Sequence, residues 1–474
     1  MISKNFKRLV ACASMIVAFS YAAGCSVDYP STSGTSLSRI TNSGDADFSK
    51  FVVVGNSLTA GFQSGGMAKT FQMNSYGAII ARQLGMDSAG SMGSEFEQPL
   101  FADPGTPGTL TLCVTSSGPS PTGVTGALSN PLNLALARPY DNVAVPGSFV
   151  WDFMNATGSS NATSWSQTRF GSQNALFDPI LRGLGTQFQQ VRALSPTFVI
   201  WWEGHNDILG YATSGAGIRG NFQAAAVAGY TPVNSSDPLF GTFGYNFADG
   251  FNASMDSLAT IGADVITGNI PYVTDIPYFT TIFPSSSVPD TNGHPWYLIT
   301  NPSTGAKTRL YYQEATTPDS IVYLLLPVSS LFGSLSASIG DLNPATPYGL
   351  HPLDPIQGKY TLTIAEVASI KNIIDSYNAS IAAAAAEHGY PVLDVKAIFS
   401  EVKAVSGSAG PGYSIGSGIK VKADFISGGL FSLDGVHPSA LGYAFVANEY
   451  IKAINEHYGS NIPLVNFNSF LNPQ

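Results

Sequence analysis

Short apolar runs recur along the chain, and stretches of helical period lie between them. Phe51–Val54 is the first run, Asn142–Val145 the second, Thr197–Trp202 the third, Ala263–Thr267 the fourth and Val392–Val395 the fifth. Runs of this length, bounded by Gly, Pro or Asn, predict buried strands. Ser75–Leu84, Ala175–Leu194, Phe247–Ile261, Thr363–His388 and Ser439–Tyr458 read as helices. In the second of these, Leu176, Ile180, Leu184, Phe188 and Val191 share one face. In the fourth, Val367, Ile370, Ile374, Tyr377 and Ile381 do so; Thr363 and Glu366 predict a capping box, and Gly389 the end. Strands alternating with helices predict an α/β fold, a doubly wound parallel sheet of five strands.

Two stretches are too long for simple crossovers. Residues 86–140 are rich in Gly, Pro and Ser, with a strand or two expected near Thr109–Val114. In 276–361, Trp296–Thr300 and Thr308–Tyr312 flank Pro302-Ser303-Thr304-Gly305, a hairpin pattern. Ile321–Phe332 is strongly apolar and broken at Pro327. Both stretches read as insertions.

The front of the chain reads as a targeting segment. Lys4, Lys7 and Arg8 precede an apolar run from Leu9 to Tyr21, and Ala22-Ala23-Gly24-Cys25 follows. This arrangement suits a cleaved signal peptide. It resembles a bacterial lipobox, with alanine and not leucine three residues before Cys25. The resemblance implies lipidation of Cys25 as the mature N-terminus; an ordinary secretory signal is the alternative. Residues 25–46, rich in Ser, Thr, Gly and Asp, read as a flexible tether. The expected division is therefore 1–24 signal peptide, 25–46 tether and 47–474 domain.

Charge narrows the partners. The formal net charge is -10, and removing residues 1–24 takes away three positive charges and no negative ones, leaving -13. Such a chain repels nucleic acid and anionic headgroups. Of the 3 cysteines, Cys25 and Cys113 follow the leader. With Cys25 lipidated, Cys113 has no partner, so no disulfide framework is expected.

Candidate chemistry lies at the strand ends. The first strand ends in Gly55-Asn56-Ser57, the second in Pro146-Gly147 and the third in Glu203-Gly204-His205-Asn206-Asp207. Asp434-Gly435-Val436-His437-Pro438 precedes the last helix. A serine needs a base to become nucleophilic, and a histidine oriented by a carboxylate is such a base. Each piece alone has a bland reading as a cap or a turn. Four pieces in order, each at a strand end or before a helix, do not.

Together these pieces resemble the blocks of the SGNH hydrolases, also called the GDSL family, over about 48–457. The resemblance implies the flavodoxin-like fold of that family, with Ser57 as nucleophile, His437 as base and Asp434 as its orienting carboxylate. It nominates the backbone N–H of Ser57, that of Gly147 and the side-chain amide of Asn206 as the oxyanion hole. Asn56, Gly204 and Asp207 would support the site. Asn56 departs from the family's aspartate; an amide keeps part of the hydrogen bonding and none of the charge. His294 and His351 read as loop residues, and His205, His388 and His457 as surface or packing residues. No cofactor and no metal are expected, since no Cys/His cluster has ligand spacing.

The function expected is a serine esterase or lipase acting on carboxylic esters, such as lipids or acylated sugars, through an acyl-enzyme. The expected place is a bacterial cell envelope, anchored to the outer membrane or surface through the N-terminal lipid, or secreted. The rivals are acyl transfer at the same site and a non-catalytic envelope binding protein. Ile276, Pro277, Tyr278 and Phe279, with Ile321–Leu326, are expected to wall an acyl pocket favouring medium or longer chains. The alternative is that they form the insertion's own small core.

Overall fold

The computed structural model describes residues 40–471 apart from 88–93, 116–117, 163–173, 217–246, 283–284, 290–294, 301–306, 313–320, 332–345 and 417. The signal segment and Cys25 lie outside the described residues. At the centre is a parallel sheet of four strands in the order β1 (Phe51–Gly55), β2 (Phe198–Trp202), β3 (Asp264–Gly268) and β4 (Val392–Leu393). Phe51 pairs with Phe198 and Gly55 with Trp202, so β1 and β2 end level with each other. Every residue of β1 and β2 is buried. Helices cover both faces of a parallel sheet, so such strands are apolar on both sides.

The expected second strand is a correction. Asn142–Val145 lies beside β1 with a single parallel bridge, Val53 to Asn142. Its backbone still alternates with that of β1: Val53 N donates to Asp141 O at 2.9 Å, Val143 N to Val53 O at 3.0 Å and Val145 N to Gly55 O at 3.0 Å. The ladder stops there: Val143 O, the next acceptor facing β1, accepts from Gln187 Nε2 at 2.8 Å, and Ala144 N on the other side donates to Asn142 Oδ1 at 3.1 Å. Counting this segment, the spatial order is second, first, third, fourth, fifth, the flavodoxin-like arrangement.

The helices that frame the sheet and the site include α1 (Ser57–Ala60), α2 (Tyr76–Gln83), α3 (Val150–Asn155), α4 (Gln187–Leu194), α5 (Asn206–Thr213), α6 (Phe247–Ala259), α7 (Ile364–Glu387) and α8 (Ala440–Tyr458). α2 packs on α8, while α4, α3, α6 and α7 pack in a row; α2 and α4 both reach β1. The capping box of α7 is present: Thr363 Oγ1 accepts from Glu366 N at 3.3 Å, and Glu366 Oε2 accepts from Thr363 N at 2.8 Å.

The single helix expected over 175–194 is two, Phe177–Leu181 and α4. Arg182, Gly183 and Gly185 all have positive φ between them, which no helix accommodates. Leu184, placed on the apolar face by the periodicity, is therefore exposed. The fifth strand is also shorter than expected, because Asp394 caps a helix over Val395–Ala404 by accepting from Ala397 N at 2.9 Å.

The first insertion carries an antiparallel hairpin, Gly108–Thr115 with Gly118–Thr125. In the second, Pro295–Thr300 pairs with Lys307–Arg309, so the expected hairpin forms, although its turn lies outside the described residues. Leu310, Leu324, Val328, Tyr348 and Ile356 form a small core separate from the main one.

The end of the expected tether is pinned. Asp45 N donates to Tyr458 O at 2.8 Å, Asn42 N to Asn461 Oδ1 at 2.8 Å, and Ala46 is buried in the main core. Residues 41–46 thus belong to the folded domain. Among the described residues, no helix is long and apolar enough to cross a membrane.

Candidate active site

Ser57 opens α1 directly after β1, so a rigid buried strand delivers its hydroxyl to the sheet edge. Asn56 caps the turn: its Oδ1 accepts from Leu58 N at 3.1 Å, and its carbonyl accepts from Thr59 N and Ala60 N at 3.1 and 2.9 Å. The N–H of Ser57 is the donor of this helix start left without an acceptor among the described residues.

His437 comes from the loop before α8. Its Nε2 lies 2.9 Å from Ser57 Oγ, and its Nδ1 lies 2.9 Å from Asp434 Oδ2. The three side chains form one continuous line. The Phe62 ring packs against the imidazole with centroids 4.7 Å apart.

Asp434 is held by more than the histidine. Its Oδ1 accepts from Val436 N, His437 N and Ser432 Oγ at 2.9, 2.9 and 3.1 Å. Its Oδ2 also accepts from Gly65 N at 2.9 Å. Burial opposes its charge, yet the attraction of His437 and the hydrogen bonds from His437 and Val436 outweigh that and lower the carboxyl to about 2. Ser64 N in turn donates to Ser432 Oγ at 2.9 Å. The loop after α1 therefore clamps the loop before α8. Ser64, Gly65 and Ser432 escape sequence reasoning, because backbone donors of distant loops leave no side-chain signature.

Gly147 sits in a turn closed by Ser148 N to Val145 O at 3.1 Å, with φ 83°. Proline followed by a glycine of positive φ is the type II pattern, which a residue with a Cβ fills poorly. Asn206 begins α5, and its Nδ2 donates to Ser148 O at 2.8 Å. Gly204, with φ 100°, joins β2 to that helix. Asp207 Oδ2 accepts from Val150 N at 3.1 Å, the first residue of α3. The Gly147 and Asn206 loops are thus tied to each other.

The residue at 56 has a local explanation. Asn56 Nδ2 donates to Glu203 Oε2 at 3.1 Å and lies 3.1 Å from His205 Nδ1. Glu203 is fully buried, and burial raises its carboxyl well above the usual range. A second carboxylate at 56 would face it directly. Glu203 stands one residue before Gly204, and a glutamate closing an apolar strand was the signal for it. Of the surface and packing readings, His205 takes the packing one: it is buried, its ring lies edge-on to Trp202 at 4.6 Å, and burial lowers its pKa to about 3. The other histidines are peripheral. His351 Nδ1 accepts from Leu353 N at 3.2 Å, His388 Nε2 lies 2.9 Å from Asp256 Oδ1, and His294 lies outside the described residues.

Among the described residues, the second insertion meets the catalytic loop at Gly435. Tyr278 N donates to Gly435 O at 2.9 Å. Gly435 has φ 72°, and a Cβ there would come within 2.9 Å of Leu326 Cδ2. Several of the residues expected to wall an acyl pocket are packed in a core. Ile276 and Phe279 are packed in the main core, and Leu324 lies in the small second core. Tyr278 and Leu326 remain beside the catalytic loop.

Residues 326–450 match the family model described as GDSL-like Lipase/Acylhydrolase. The matched stretch contains Asp434 and His437; Ser57, Gly147 and Asn206 lie outside it. Among solved structures, the chain is similar to a mutant of Axe2, an acetyl-xylooligosaccharide esterase from Geobacillus Stearmophilus. Identity is 11% over 87% of this chain and 96% of that one, with a TM-score of 0.32. It is similar at 13% identity to LAE5, an alpha/beta hydrolase enzyme from the metagenome of Lake Arreo, Spain, over 86% and 96% with a TM-score of 0.30. A putative SGNH hydrolase from Slackia heliotrinireducens shares 11% identity over 86% and 100%, with a TM-score of 0.27. No curated protein matches the chain.

Proposed function

We propose that this chain, which carries the GDSL hydrolase match over 326–450, is a serine esterase cleaving carboxylic esters through an acyl-enzyme on Ser57. The observation that carries the reading is the line from Ser57 Oγ to His437 Nε2 and from His437 Nδ1 to Asp434 Oδ2, at 2.9 Å each. In this reading Ser57 Oγ attacks the ester carbonyl while His437 Nε2 takes its proton. Asp434 accepts the Nδ1–H, fixes the tautomer and stabilises the imidazolium. The N–H groups of Ser57 and Gly147 and the amide of Asn206 receive the oxyanion. His437 returns the proton to the leaving alcohol, then activates water to release the acid and regenerate Ser57.

Export and anchoring belong to the same proposal. Lys4, Lys7 and Arg8, the apolar run and Ala22-Ala23-Gly24-Cys25 support a lipid on Cys25 and a place in the cell envelope. Several acyl chains would give a firm hold on a bilayer. Hydrolysis of aryl esters by purified 40–474, compared with Ser57→Ala, tests the activity. Equal rates for the two proteins would refute it.

A further inference from the structure

Glu203 is a buried titratable group that the reaction above leaves without a part. It closes β2, beneath both loops of the site. Its Oε2 accepts from Asn56 Nδ2 at 3.1 Å, and its Oε1 lies 2.6 Å from Ser148 Oγ. Ser148 Oγ is also 3.3 Å from Gly55 O, the last residue of β1. No Lys or Arg pairs with Glu203 among the described residues; the titratable groups acting on it are Asp207 of α5, Asp152 of α3 and Tyr76 of α2, and His205 shares its Asn56 partner. A full negative charge there has neither solvent nor a cation to balance it.

The hydrogen-bond pattern admits the neutral state. Ser148 has one hydroxyl proton and two acceptors within reach, Glu203 Oε1 and Gly55 O, and Gly55 O already accepts from Val145 N and Gln187 Nε2 at 3.0 Å each. With Glu203 protonated, its O–H donates to Ser148 Oγ and the Ser148 proton turns toward Gly55 O. Asn56 is consistent with this: its amide gives one N–H to Glu203 Oε2 and the other to His205 Nδ1.

We propose that Glu203 is a neutral positioning residue that locks the nucleophile turn to the oxyanion loop, through Asn56 on one side and Ser148 on the other. Asn56 caps the turn bearing Ser57. Ser148 follows Gly147 and receives the Asn206 amide on its carbonyl. One buried side chain thus sets the spacing between the attacking oxygen and the three donors assigned to the oxyanion. The proposal rests on the esterase reading for its catalytic consequence and on the structure alone for its protonation state.

The test combines kinetics with infrared spectroscopy on the soluble protein. Glu203→Gln keeps an acceptor for Asn56 and a donor for Ser148, and should retain kcat within about threefold. Glu203→Ala and Ser148→Ala should lower kcat by about 10- to 100-fold with KM changed less than about twofold, since misplacement of the donors is felt in the transition state. At neutral pH the wild-type protein should show a protonated-carboxyl C=O band that Glu203→Gln lacks. Wild-type kcat in folded Ser148→Ala, or Glu203→Gln as impaired as Ser148→Ala, would overturn the positioning role, even if Glu203→Ala does not fold. Absence of the band would overturn the neutral state. A wild-type protein that cleaves no ester would refute the esterase reading instead, and the band would still decide the protonation.

Discussion

His437 Nε2 stands 2.9 Å from Ser57 Oγ, although the two residues are 380 positions apart. One is held by the end of the first strand and the other by the loop before the last helix.

Removing either partner should remove the chemistry. Ser57→Ala and His437→Ala are each expected to lose ester hydrolysis by several orders of magnitude, because members of a triad act as a unit. Far-ultraviolet circular dichroism and the melting temperature should stay near wild type. Full turnover in a clean Ser57→Ala preparation would contradict the assignment.

Asp434 makes a prediction in pH. Its carboxyl is lowered to about 2 in the folded protein, against a usual value near 3.8. The unfolded chain therefore takes up this proton first on acidification. The resulting stabilisation is complete above about pH 4 and is lost as pH falls through about 2, amounting to on the order of 2 kcal/mol. Urea unfolding of wild type and Asp434→Asn between pH 5 and 2 checks this: the stability gap should narrow toward the acid end. A gap that widens there contradicts the account.

Asn206→Ala should lower kcat by roughly 10²–10³ with little change in KM, as for a donor used mainly in the transition state. Because Asn206 Nδ2 also donates to Ser148 O, a modest loss of melting temperature should accompany it. A pure KM effect would place Asn206 in substrate binding.

The same contrast of local and distant causes decides what could be read without coordinates. Thr363 with Glu366, Ser439 before α8 and the β1 run are local signals, and each forms as expected. The break at Arg182–Gly185 is hidden in the sequence, because the apolar period of Leu176, Ile180, Leu184 and Phe188 continues through it. Asn142–Val145 reads as a strand, yet it keeps one bridge to β1, and Val143 O, the next acceptor along, takes the side chain of the distant Gln187. In the site, Ser57, His437 and Asp434 were legible from the strand-end and loop motifs that resemble the GDSL blocks. The clamp of Ser64, Gly65 and Ser432, and Glu203 under the nucleophile, depend on contacts between loops far apart in the chain.

Acyl preference now rests on fewer side chains. With Ile276 and Phe279 packed in the main core, Tyr278 and Leu326 beside Gly435 are the described residues of that expected wall placed to meet a longer acyl chain. An aryl ester series should show kcat/KM rising from acetate, at about 0.8 kcal/mol per buried methylene at most. Leu326→Ala should flatten that rise. A steady fall from acetate upward would identify a small-acyl esterase.

The account's central claim is that Ser57 is the residue that becomes acylated. The most direct measurement is peptide mass spectrometry of the protein quenched in acid during turnover of a slow aryl ester, with His437→Ala in parallel. The account predicts one acyl adduct, on the peptide containing Ser57, absent from His437→Ala. An acyl adduct on another residue, or turnover that leaves Ser57 unmodified under conditions that trap the intermediate, would contradict it.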